Sequence, residues 1–195
     1  MNARPWLIGA LAALAACQTV PRAELAPSAD ARAVLAGVSA WRARGRVAVH
    51  STGEGFSASF DWREAGGRSD IDVRGPLGAG AALITRTPQL IRIETGSNPP
   101  IDIPAPFESV EAELTTRLGF PLPIGPLRYW MLGVPDPGLP SSAAPEGFAQ
   151  AGWNVALAAF APVIKAPVAL PTRLVLTRSG TQVRVVISAW QVGPP

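Results

Sequence analysis

Phe56, Ala58, Phe60 and Trp62 alternate with Ser57, Ser59, Asp61 and Arg63, and this period of two restricts the fold more than any other feature of the chain. Successive side chains of an extended strand point to opposite faces, so such a segment buries one face and wets the other. A helix would scatter the same four apolar side chains around its circumference. Val47 and Val49 alternate with Arg46, Ala48 and His50, and further strands are predicted over Ser69 to Arg74, Ala81 to Arg86, Leu90 to Thr95 and the short Pro100 to Ile103. Trp153, Val155 and Leu157 restart the alternation. Leu174 and Leu176, followed by Val183, Val185 and Ile187, predict a terminal hairpin turning at Ser179-Gly180, with Trp190 closing an apolar end. The 19 Gly and 21 Pro among 195 residues punctuate the chain too often for a continuous helical bundle, and they favour hairpins or a meander.

Two stretches carry a helical period instead. Ser28 is placed to cap a helix containing Ala31, Val34, Leu35, Val38 and Trp41, whose spacing forms an apolar stripe. Pro106 begins a second, with Phe107, Val110, Leu114 and Leu118 on one side and Gly119 to close it. Both are expected to cover the sheet. Phe120 to Gly133 is interrupted by Pro121, Pro123 and Pro126 and predicts a short helical turn near Leu127 to Leu132, while Pro135 to Gly147 reads as a loop. The length suits one domain, assigned to residues 28–191 with 192–195 as a tail.

The supply of reactive groups is thin. One Cys excludes an internal disulfide framework, and one His leaves little material for a metal or histidine-based site. Ser57, Ser59, His50 and Asp61 or Asp72 offer no nucleophile elbow for a hydrolase. Asp70 and Asp72 share a strand face without a partner set, so no metal is expected. Net charge is only +3, and Arg42, Arg44 and Arg46 alternate with Trp41, Ala43, Gly45 and Val47. That is the rim of a strand, and nucleic acid is not an expected partner.

The N-terminus concerns address. Arg4 precedes an apolar run from Trp6 to Ala16, too short for a transmembrane helix, and Cys17 follows at once. Leu14-Ala15-Ala16-Cys17 resembles the bacterial lipoprotein processing box. That resemblance implies cleavage of residues 1–16 as a signal peptide and attachment of diacylglycerol and an N-linked acyl group, such as palmitate, at Cys17. Residues 17–27 then form the lipidated end and a tether. Gln18 beside the modified Cys fits the outer-membrane sorting pattern. No other cofactor is expected.

A strongly curved antiparallel sheet with helices over its open parts encloses apolar space when its inner side chains do not fill it. Phe56, Phe60, Trp62, Val73, Leu83, Ile93, Trp130, Trp153, Leu157, Leu176, Val185 and Trp190 are candidates to line such a space. They serve equally as an ordinary packed core, because alternation identifies a face and not a volume. Between two strand patterns lies Gly75-Pro76-Leu77-Gly78-Ala79-Gly80, a turn that either projects Leu77 toward an acyl cavity or membrane interface or packs it inward.

These fragments, in order, resemble the LolB family of bacterial outer-membrane lipoprotein receptors. The resemblance spans roughly Trp41 to Trp190 and rests on Arg44-Gly45-Arg46, Phe60-Asp61-Trp62 and Gly75 to Gly80, then Leu118 to Pro123, Leu127 to Pro135, Gly152 to Val155, Leu170 to Leu176 and Ile187 to Trp190. It implies a mainly β fold with helices: an open, highly curved antiparallel β-barrel with a helical lid enclosing an apolar cavity. It also implies a monomeric, non-enzymatic receptor, lipid-anchored at the outer membrane and facing the periplasm, that takes acylated lipoprotein cargo from a carrier resembling LolA and passes its acyl chains into outer-membrane lipid. Leu77 becomes the protruding residue of membrane delivery, and Arg44, Arg46 and Arg128 become candidates for docking an acidic face of the carrier. Val155-Ala156-Leu157-Ala158-Ala159-Phe160 departs from the family's Tyr-rich alternation. A purely structural outer-membrane lipoprotein is the alternative reading.

Overall fold

The alternating runs pair with their chain neighbours, because the turns between most of them are too short for any other arrangement. The structure, a computed structural model, describes residues 28–51, 54–76, 80–96, 99–105, 110–111, 115, 121 and 123–193. Among them are strands β1 (Ala40–Ser51), β2 (Glu54–Ala65), β3 (Arg68–Arg74), β4 (Ala81–Arg86), β5 (Leu90–Thr95) and β6 (Ile101–Pro104). After helix α2 come β7 (Ser141–Ala144), β8 (Gly147–Gln150), β9 (Trp153–Ala161), β10 (Leu170–Arg178) and β11 (Thr181–Val192). Helix α1 spans Ala29–Ala36 and α2 spans Ile124–Met131. The sheet order is β6-β5-β4-β3-β2-β1-β11-β10-β9-β8-β7, antiparallel throughout, with β6 and β7 as its edges. The sheet is therefore open, and β1 and β11 join its two wings at the centre.

Register decides which residues share the inner face. Trp62 pairs with Ala43 and Ile71, Ile71 with Ile84, and Ile84 with Ile93, which makes one apolar row across five strands. The next row begins with Trp41 and continues through Glu64, Ser69, Arg86 and Ile91. Register shifts at Arg44/Gly45 in β1 against β11, and around Pro171 to Leu174 in β10 against β9, add twist and curl the sheet toward this face. Trp41 packs against Trp62 and Trp190 with ring centroids 5.4 and 5.5 Å away, closing the end of the sheet where β1 begins.

Helix α1 is shorter than its apolar stripe predicts. Ser28 caps it, its Oγ accepting from the Ala31 N–H at 3.3 Å, but Gly37 ends it and Trp41 already belongs to β1. Only Leu35 of the helical set is fully buried, while Val34 is exposed. In the second predicted helix Val110, Glu111 and Thr115 are helical, and the remainder of that stretch lies outside the described residues. Pro135 to Gly147, read as a loop, contains β7 and leads directly into β8. Ser141 to Ala144 present almost no buried side chain, so no amphipathic signal marks them, and pairing to β8 alone defines the strand. The tail begins after Val192, which is still in β11 and buried.

Candidate functional site

Helix α2 lies over the inner face and leaves an entirely apolar cavity beneath it. Val47, Phe60, Trp62, Ile71, Val73, Ile84 and Val185 form the sheet side, and Ile124, Leu127 and Met131 form the roof. The volume is about 90 Å³. Trp62, Ile71 and Ile84 are buried, whereas Val47 and Val73 are half-buried, and Phe56 beyond them on the same face is 42% exposed. The space thus opens toward the end of the sheet where β3 connects to β4.

Of the twelve lining candidates, Phe60, Trp62, Val73 and Val185 border this cavity. Ile93, Trp130, Trp153, Leu157 and Leu176 are buried as packed core away from it, and half-buried Trp190 packs on the core and donates its indole N–H to the Pro171 carbonyl at 2.8 Å. Phe56 stands at the open rim. Leu83 is on the wrong face: β4 turns Ala82, Ile84 and Arg86 inward, and Leu83 is 42% exposed. Its neighbours are all apolar or small, so the strand's own pattern carries no parity signal. Val47, Ile71, Ile84, Ile124, Leu127 and Met131 border the cavity without having been nominated. The period of two places Val47, Ile71 and Ile84 inward, but the roof depends on where α2 docks.

Beyond the cavity, the next row of the inner face carries a buried polar cluster. Glu64 is 3% exposed and accepts from Ser69 Oγ at 2.5 Å, Trp62 Nε1 at 3.4 Å and Arg128 Nη1 at 3.0 Å. Glu64 extends the inward series of Phe60 and Trp62, and a carboxylate at such a position is the signal that a cationic partner must come from elsewhere. Arg128 also donates to the Tyr129 hydroxyl. Burial opposes the Arg128 charge, but Tyr129 and Glu64 outweigh it and raise its pKa above the ordinary value. Arg128, a docking candidate in the sequence, is therefore a tie between α2 and the sheet, its guanidinium bonded to Glu64 and Tyr129. Buried Gln150 fixes the chain after α2: its Oε1 accepts from Trp130 Nε1 at 2.7 Å and Asp136 N at 2.8 Å, while its Nε2 donates to the Asp136 and Leu139 carbonyls. Glu111 anchors the other helical cover, accepting from Arg178 at 2.5 Å and Trp153 Nε1 at 3.3 Å.

Arg44 and Arg46 project from the outer face of β1 and are exposed. That face carries cross-strand and same-strand pairs: Arg42 with Asp61, Arg68 with Asp70, Arg74 with Asp72 and Arg92 with Asp102. The Arg42 guanidinium bonded to Asp61, and those of Arg68 and Arg74 bonded to Asp70 and Asp72, hold the three carboxyls below the usual range. A pKa lower in the folded than in the unfolded state contributes stability above about pH 4 that is lost as pH falls through the folded value. The thermal midpoint is expected to be level from pH 7 to 5 and to decline on further acidification, with part of that decline removed in Asp61→Asn. A midpoint unchanged between pH 5 and 2.5 would contradict it. The hydrolase candidates gather no reactive geometry among the described residues: Ser59 donates to the Arg74 carbonyl, and Asp61 and Asp72 are held by arginines. Among the described residues no group of three or more His, Cys, Asp or Glu is placed to hold a metal. Cys17 and Leu77 lie outside the described residues.

Residues 39–190 match the family model described as outer membrane lipoprotein LolB. The chain belongs to the LolB family. It is 34% identical to the outer-membrane lipoprotein LolB of Alkalilimnicola ehrlichii over 96% of this chain and 97% of that one, and 34% identical to that of Halorhodospira halophila over 77% and 74%. The LolB of Thiobacillus denitrificans is 29% identical over 93% of this chain. Among solved structures, a LolA superfamily protein from Nitrosomonas europaea superposes with a TM-score of 0.52 at 9% identity, covering 87% of this chain and 96% of its own. That likeness concerns the fold, an open antiparallel sheet with helices on one face. As a LolB, the chain is an outer-membrane lipoprotein.

Proposed function

We propose that this LolB accepts acylated lipoproteins from a soluble periplasmic carrier of the LolA kind and passes their acyl chains into the outer membrane, with no covalent bond made or broken. The observation that carries this reading is the wholly apolar cavity roofed by α2 and open toward the β3–β4 connection. An acyl chain crossing water exposes its methylenes at about 0.8 kcal/mol each, and transfer from one apolar cavity to another avoids most of that cost. A chain longer than the present space displaces the roof before the sheet, because the strands are laddered while α2 is tied at its base by Arg128. Cys17, acylated, keeps the domain at the membrane, and Leu77 in the β3–β4 connection leads the cargo into the bilayer. Arg44 meets the acidic face of the carrier.

The test uses a carrier loaded with a labelled triacylated lipoprotein, with outer-membrane lipid vesicles as final acceptor. Wild type takes the label from the carrier and releases it uncleaved into vesicles. Leu77→Glu is expected to accept cargo normally and to deliver it at least tenfold more slowly. Val73→Trp, which fills the cavity mouth, is expected to fail at acceptance. Equal delivery by all three proteins at equal folded concentration would remove the proposal, and a cleaved acyl product would replace it with hydrolysis.

A further inference from the structure

At the cavity end of the sheet, on its opposite face, Arg46, Ser59 and Arg74 are register partners across β1, β2 and β3. Adjacent strands lie about 4.8 Å apart, so the two arginine Cα atoms stand about 10 Å from each other with a hydroxyl residue between them. Their side chains, with Ser57, Ala58, Gly75 and Pro76, line a concavity of about 390 Å³. Arg46 makes no ion pair among the described residues. Arg74 gives Nε and Nη2 to Asp72 at 3.0 and 2.6 Å, which leaves the N–H groups of Nη1 for another acceptor. The floor is built of small residues, two of them serines, and the walls are guanidinium. That is the chemistry of a site for a phosphate group and not for an apolar ligand.

We infer that this groove binds the phosphodiester of an anionic phospholipid headgroup and so sets the depth and orientation of the domain on the membrane. The inference rests on the transfer reading, which places the β3–β4 connection at the bilayer. Gly75 and Pro76 belong both to the groove and to the stem of that connection, and Gly75 N–H donates to the Gly80 carbonyl at 3.0 Å, closing the stem. Pro76 directly precedes Leu77, so a Leu77 embedded in the hydrocarbon leaves the groove within about 10 Å, close to the interfacial layer of about 5–8 Å. Asp72 beside Arg74 halves the local positive charge, which suits the single charge of a phosphodiester better than the double charge of free phosphate.

The full chain is mixed with vesicles of phosphatidylcholine alone or with one part in three phosphatidylglycerol, and the ratio of the two affinities is measured by flotation. The N-terminal apolar run and any acyl anchor contribute to both affinities, so the ratio isolates the headgroup. A basic residue at an anionic surface contributes about fivefold, and Arg46→Gln with Arg74→Gln is expected to lower the ratio about 30-fold. Arg63→Gln with Arg68→Gln removes the same charge from the far end of β2 and β3, about 13 and 20 Å along the strands and beyond the Debye length at physiological salt. It is expected to leave the ratio within twofold. Equal loss in both double variants would reduce the site to diffuse charge, no loss in either would remove it, and full competition by millimolar inorganic phosphate would assign it to free phosphate; each overturns the proposal. Retained cooperative melting shows that these outer-face variants fold. An unaffected ratio with intact cargo transfer overturns the headgroup site alone, whereas a responsive ratio in a chain that takes no cargo overturns the transfer reading alone.

Discussion

Gly45→Val is expected to abolish the folded sheet. A Cβ at this position would lie 2.0 Å from the Val186 carbonyl oxygen and 3.0 Å from both the Ile187 Cα and the Phe60 ring. Two of those three neighbours are backbone of β11, so relief requires separating β1 from β11 at the centre of the sheet, where the register already shifts. A strand glycine marks such close backbone approach. Here it allows the curl that brings Phe60 and Val185 around the cavity. Overpacking of side chains alone costs roughly 1–3 kcal/mol, and a backbone clash that breaks the central ladder is expected to cost about 4 kcal/mol or more. Urea unfolding measures it, with Gly45→Ala already strongly destabilised. Gly125→Ala is the control: no atom stands within 4 Å of its Cβ, and it lies in α2. Removing a helix glycine is expected to stabilise by up to about 1 kcal/mol. If Gly45→Ala also leaves the urea midpoint unchanged, the close approach of β1 and β11 is not a constraint on the fold.

Arg128→Met is expected to destabilise by about 3 kcal/mol, because it takes a hydrogen-bonded cation from the buried Glu64 carboxylate and leaves it Ser69, Trp62 and the nearby charge of Arg86. The penalty comes more from a buried carboxylate short of a partner than from lost attraction, which yields a second, sharper expectation. Glu64→Gln combined with Arg128→Met removes that charge, keeps an acceptor for Ser69, and should recover at least half of the loss. A double variant no more stable than Arg128→Met would show that Arg128 acts by packing alone. Because Arg128 ties α2 to the sheet, the single variant should also make the roof easier to lift. Hydrogen exchange of the α2 amides reads this directly, and faster exchange confined to α2 and its flanks is the expected pattern.

The strand pattern was legible because it is local. Phe60, Trp62 and Val73 could be placed inward from their own strands, since parity along an extended segment needs no knowledge of the partner. Leu83 was misplaced because Ala81 to Ile84 offers apolar or small side chains on both faces, and only pairing to β3 shows that Ile84 continues the row from Ile71. The β7–β8 hairpin was illegible for a related reason: Ser141 to Ala144 are strand only because β8 lies beside them. Trp153 and Leu176 were read as inward and are inward, yet they meet packed core and not open space. The difference lies in what α2 covers.

By itself, the sequence determined an antiparallel sheet of short strands and the order of fragments by which the chain belongs to the LolB family. These are matters of periodicity and local spelling, readable without knowing what lies opposite. The tertiary structure alone decided that Glu64 and Arg128, 64 positions apart, seat the roof, that ten side chains leave the space between sheet and helix unfilled, and that Arg46 and Arg74 stand on either side of one serine. Each depends on register between strands or on the docking of a helix, and those are set by the balance of burial over the whole sheet rather than by any one segment.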